Sequence, residues 1–185
     1  MEPVTMKKVE RDGVKYRISV YHDQDAGDPT REFDGVGEIY SFCSRHRSYD
    51  ADARAREANN RDAVPLGYFE HGQCVWFVFG AAPPGADCPW DGVPFAGLWV
   101  PDKTILDEAS SLTGKDRRDL MWKRAAQACV TYTQWCNGDI YGYTVERLES
   151  CDKCRAVTAE TLDGCWGIYG SDEAIREAEA FVATQ

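Results

Sequence analysis

The chain holds no run of about 18 apolar residues, the length that a membrane-spanning helix requires. Its longest apolar stretch, residues 74–79, is the length of a strand. It also lacks a basic surplus: 31 acidic against 21 basic side chains leave a net charge of −10. Nucleic-acid binding rests on a basic footprint, so direct binding to DNA or RNA is argued against. An excess of negative charge keeps a protein in solution and favours a partner with a basic surface. The first residues, MEPVTMKKVERDG, have no apolar core of the kind a secretory signal carries. The expected location is therefore the cytoplasm, where the eight cysteines stay reduced. Those cysteines are scattered apart from one CxxC, unlike a disulfide scaffold. Internal repeats and low-complexity tracts are missing too, and no catalytic or cofactor motif of specific spacing stands out.

What is present is a chain long enough to bury a core without staples. At 185 residues it reads as one α+β domain spanning 1–185. Residues 14–21 alternate like a strand with one buried face, and 37–43 form a second strand. Residues 63–69 and 74–79 flank a turn at Gly72 and predict a hairpin. The second arm is apolar on both faces and reads as a central strand. The stretch 80–95 holds four of the eight prolines, which argues against regular structure. A short strand at 96–100 and a helix after Pro101 follow.

Thr113 and Asp116 resemble a capping box opening a long helix to about residue 136. Its stripe is Leu120, Met121, Ala125, Ala128, Cys129, Tyr132 and Trp135, with Gly138 as the stop. Trp135 reads as a core aromatic. Two Gly- and aromatic-rich strands come next, expected to pair antiparallel. A last helix starts at 171, with Ala174, Ile175, Ala178, Phe181 and Val182 inward. The expected architecture is a single antiparallel-rich sheet carrying one long and two shorter helices.

The candidates for chemistry are few. Cys151 and Cys154 form a CxxC that could present two thiolates to zinc. Cys165 would be the third ligand across the same hairpin, and Cys136 a stretched fourth. A metal-free hairpin loop is the simpler reading, and no cofactor is expected. The run Asp23, Asp25, Asp28, Glu32 and Asp34, with His22 beside it and His46 beyond, could hold a divalent metal for hydrolysis. Its spacing does not match an EF-hand, and a solvated acidic loop with Asx-turns is the simpler reading. Cys43 and His46 could suggest a nucleophile pair, but three residues apart on an extended chain they point to opposite faces. Trp90, in the CPWD segment at 88–91, is either a partner contact or a plug for the core edge.

Taken in order, Asp25, the PTREFD segment 29–34, Phe42, Cys43, His46, CPWD at 88–91, GDIYGY at 138–143 and GCWGIYG at 164–170 resemble a family of small uncharacterised bacteriophage and prophage proteins. The resemblance covers nearly the whole chain, and the Cys151–Cys154 loop departs from its pattern. It implies phage origin and residence in the host cytoplasm, and says nothing about chemistry.

The resulting expectation is a non-enzymatic accessory protein that binds a host macromolecule, such as an immune complex, through a basic surface on that partner. Asp25, Arg31, Glu32, His46, Trp90 and Asp91 are the expected contacts, because long mixed loops carry function more often than cores do. Arg31, Glu32, His46, Trp90 and Asp91 are expected to face one concave surface. The alternative is a metal-dependent enzyme acting on a nucleotide or nucleic acid through the 23–34 loop and His46.

Overall fold

The computed structural model describes residues 1–55, 60–86, 91–151 and 154–185. In chain order the elements are strands β1 (Thr5–Arg11) and β2 (Val14–His22), a short helix α1 (Pro29–Glu32), and strands β3 (Glu38–Ser41), β4 (Val64–His71), β5 (Gln73–Val78) and β6 (Gly92–Val100). Helices α2 (Lys103–Glu108) and α3 (Gly114–Cys136), strands β7 (Ile140–Ser150) and β8 (Val157–Tyr169), and helix α4 (Ser171–Val182) complete it. The α+β class is as the sequence predicts. The single sheet is not: the strands form two four-stranded antiparallel sheets, ordered β1-β2-β7-β8 and β3-β6-β4-β5. Alternation along a strand marks its two faces but not its neighbours, and β2 finds β7 more than a hundred residues away. Two compact units result, one of Met1–Ala26 with Gly138–Gln185, the other of Gly27–Asn137.

The first unit is built on two hairpins. Asp12 and Gly13 both adopt positive φ, 50° and 78°, and join β1 to β2 through a two-residue turn. That backbone matches the natural strand twist, and Asp-Gly is among the few pairs that adopt it cheaply. The N-terminal strand itself was not expected from its polar sequence. Helix α4 lays Ala174, Ala178 and Val182 against Tyr16, Ile18, Val20, Tyr143, Val145 and Ile168, with Ile175 and Phe181 partly buried, so its inward stripe is the predicted one. Each buried Ile or Val contributes roughly 2 kcal/mol. Gly142 is required where it stands: a Cβ there would lie 2.2 Å from the Trp166 ring.

In the second unit α3 crosses the sheet β3-β6-β4-β5. Met121, Ala125, Ala128, Cys129 and Tyr132 pack on Val64, Leu66, Trp76 and Trp99. Trp135 is half-buried, a lesser core role than its place in the helical stripe suggests. β5 is an edge strand, not the central one expected. α3 packs on the Cys74, Trp76 and Val78 face of β5, and the strand's outer edge is satisfied by side chains of that helix and its C-cap. The Asn137 amide accepts from Cys74 N–H at 3.0 Å and donates to Cys74 C=O at 2.9 Å, while Thr133 Oγ1 accepts from Trp76 N–H at 2.9 Å. A capped edge of this kind cannot template pairing with another chain. Thr113 is the N-cap of α3 without making the capping bond that a capping box implies. β6 starts earlier than predicted, at Gly92, and Pro94 is accommodated beyond the end of β3, where one side of β6 has no strand neighbour.

Candidate functional site

The site follows from how β3 ends. After Ser41 the chain folds back on itself: Ser41 N–H bonds Ser48 C=O at 2.8 Å, Asp50 N–H bonds Ser41 C=O at 3.1 Å, and His46 N–H closes a turn onto Cys43 C=O at 3.1 Å. This fixed turn presents His46 to an open cleft of about 490 Å³ within the Gly27–Asn137 unit. Arg45 and Arg47 line its rim, with Tyr68, Glu70, Cys74, Trp76, Tyr132 and Cys136 below.

Ser41 sets the orientation of the imidazole. Its Oγ accepts from Cys43 N–H at 3.0 Å and lies 2.7 Å from His46 Nδ1. The hydroxyl can donate to Nδ1 or accept from Nδ1–H, so this contact holds the ring in place whichever nitrogen carries the proton. Ser41 is wholly buried, so it positions the ring and cannot reach a substrate as a nucleophile. The His46 ring lies 4.2 Å from Tyr68 and 5.2 Å, edge-on, from Trp76. The series continues through Trp76–Tyr132 at 5.8 Å and Tyr132–Trp135 at 5.4 Å, and the Arg47 guanidinium sits 4.9 Å over the Trp135 ring. Burial lowers the His46 pKa from 6.5; Glu70 opposes this and Arg45 adds to it, so the ring is neutral at pH 7. Burial first, then its hydrogen bond to Glu70 at 2.7 Å, raises the Tyr68 pKa and keeps it a phenol. The Cys43–His46 pairing weighed from sequence gives way to this arrangement, since the ring nitrogen near the turn is engaged by Ser41.

Of the six residues expected to bind a partner, His46 alone lines the cleft. Asp25 belongs to the Met1–Ala26 unit, beside Met1, Asp23 and Trp166. Arg31 is exposed on α1, its guanidinium 3.7 Å from Asp28, and the Glu32 carboxylate folds against Gly27. Asp91 lies 3.3 Å from His71 at the far end of the β4–β5 hairpin. Trp90 lies outside the described residues. Within the Gly27–Asn137 unit, Arg31, Glu32 and Asp91 do not line the cleft that holds His46.

The acidic loop is engaged in backbone contacts. Asp23 accepts from Asp25 N–H at 3.1 Å and Gly167 N–H at 3.0 Å, and Asp28 caps α1 by accepting from Thr30 N–H at 2.9 Å. Among the described residues no three His, Cys, Asp or Glu side chains are placed to hold a metal ion. This corrects the zinc set Cys151, Cys154 and Cys165. Cys165 opposes Tyr143 on β7, while the CxxC lies beyond the Ser150–Val157 pair. Seven residues of strand separate the two levels, about 23 Å at ~3.3 Å per residue. Sharing a hairpin does not mean sharing an end of it.

Sequence reading does not single out Tyr68, Trp76, Cys74 or Arg47, and it weighs Cys136 only as a zinc ligand. The signal was there for two of them: a Cys and a Trp inside the apolar run 74–79, which was read as core alone. No family model, curated protein or solved structure matches this chain. Among the described residues no helix is long and apolar enough to cross a membrane.

Proposed function

We propose that this chain is a phage accessory protein that acts in the host cytoplasm by binding and modulating a host protein or complex, and that the His46 cleft is its docking point. The observation that carries this reading is the bond from buried Ser41 to His46. It holds the imidazole in one orientation beside an aromatic wall, and the hydroxyl bonded to the ring is buried, which suits recognition. Aromatic faces and an oriented imidazole suit an inserted side chain that is itself planar. Arg45 and Arg47 at the rim favour a neutral or anionic group at that point. The net charge of −10 favours a partner that is basic elsewhere on its surface.

The test is affinity capture from a bacterial host lysate, followed by reconstitution of the captured partner with the pure chain. His46→Ala and Arg47→Glu are each expected to weaken the reconstituted complex about tenfold or more, the range of an interface hot spot, with an unchanged far-UV circular dichroism spectrum. Full affinity in both variants would overturn the assignment of the cleft.

A further inference from the structure

Two cysteines of the same cleft are held together by a contact that binding does not require. Cys74 lies on β5 and Cys136 is the last residue of α3. The Asn137 side chain clamps the Cys74 main chain at both its N–H and its C=O, at 3.0 and 2.9 Å, so the residue after Cys136 is fixed against Cys74. Each thiol is a cause of the other's pKa shift, lowering that of Cys74 and raising that of Cys136. Both are partly buried and line an opening of about 490 Å³, wide enough to admit a small disulfide.

We propose that Cys74 and Cys136 are a thiol–disulfide exchange site that closes to a reversible disulfide by reducing a low-molecular-weight disulfide such as oxidised glutathione. The Cys74 thiolate attacks one sulfur of the small disulfide. That S–S bond breaks, one small thiolate leaves and takes up a proton, and Cys74 carries a mixed disulfide. Cys136 loses its proton to solvent and attacks the Cys74 sulfur, the mixed bond breaks, and the second small thiol leaves. Two protein thiols are oxidised by two electrons in all, and one small disulfide is reduced to two thiols.

The roles follow from the contact. The Cys136 thiol lowers the Cys74 pKa, which favours the Cys74 thiolate as the attacking group. The Cys74 thiol, together with burial, raises the Cys136 pKa, so Cys136 acts second. Cys129, on the same helix, provides the contrast: it is buried in the core, its pKa is pushed up to about 12, and it is inert. This inference does not depend on the identity of any binding partner.

The experiment incubates the full chain with oxidised glutathione, quenches with an alkylating agent and maps the peptides with fragmentation. The expected result is a 74–136 cross-link in the wild type that dithiothreitol reverses. Cys136→Ser should accumulate one glutathione on Cys74, and Cys74→Ser should give no cross-link and modify Cys136 at least tenfold more slowly. Serine is close in size to cysteine, and circular dichroism checks that both variants fold. A wild-type map in which Cys74 and Cys136 remain free thiols or separate adducts, while Cys151, Cys154 and Cys165 react, would overturn the proposal whatever the variants do.

Discussion

Burial against Tyr68 and Trp76 makes His46 neutral in the folded protein at pH values where the unfolded chain takes up a proton. The folded pKa lies below 6.5, so from there down to the folded value the unfolded state binds more protons. The stability that His46 contributes is therefore complete above pH 6.5 and is lost as the pH falls through the folded value. His46→Gln should flatten the loss of unfolding free energy between pH 7.5 and 5.5, measured by urea titration. Equal slopes in the two proteins would place the acid sensitivity elsewhere. The sequence pointed to His46 as a polar interaction residue, yet it could not show what makes the ring useful. Ser41 is five residues away in sequence and reaches Nδ1 only because the chain reverses after β3. Tyr68 and Trp76 are cross-strand partners in the hairpin that the sequence predicts, but no local pattern brings that hairpin beside residue 46.

Among the elements, the strongest local device is Asp102. One carboxylate oxygen caps α2 by accepting from Ile105 N–H at 3.0 Å, and the other accepts from Gly35 and Gly37 N–H at 2.6 and 3.1 Å. It thus joins the end of β6 to the loop before β3, next to Trp99, whose Nε1–H bonds Val36 C=O at 2.8 Å. Asp102→Ala removes a cap and leaves two loop N–H groups without their acceptor. The expected cost is about 3 kcal/mol in denaturant unfolding, and a change within error of zero would contradict this role. Helices were the most legible elements. The stripe of α3 and the stop at Gly138 were read from spacing alone, because a 3.6-residue period is written within one segment. Strands were found, but their places were not. β5 was read as central from its two apolar faces, whereas α3 packs on one face and Asn137 and Thr133 complete its edge. β1 was passed over because its outward residues are charged, although Asp12-Gly13 marks its turn.

For the whole molecule, the chain order places the Gly27–Asn137 unit between β2 and β7. These strands are neighbours, and Asp23 N–H bonds Ile140 C=O at 2.8 Å, so the two points where the chain leaves and re-enters the first unit are close. Inserted units with adjacent ends often fold alone. Residues 27–137 expressed separately should unfold cooperatively and keep the near-ultraviolet signal of their buried tryptophans; a disordered product would favour the single domain of 1–185 that chain length suggests. The net charge and the order of motifs were legible at this scale, and they are what suggest a host partner. The cleft was not legible, since its walls come from segments around residues 46, 70 and 135. The most direct test of the central claim is hydrogen–deuterium exchange on the chain alone and in complex with its captured host partner. Binding through the cleft predicts slowed exchange at residues 43–48, 68–76 and 132–137. Protection confined to residues 23–34, with those three segments unchanged, would contradict it.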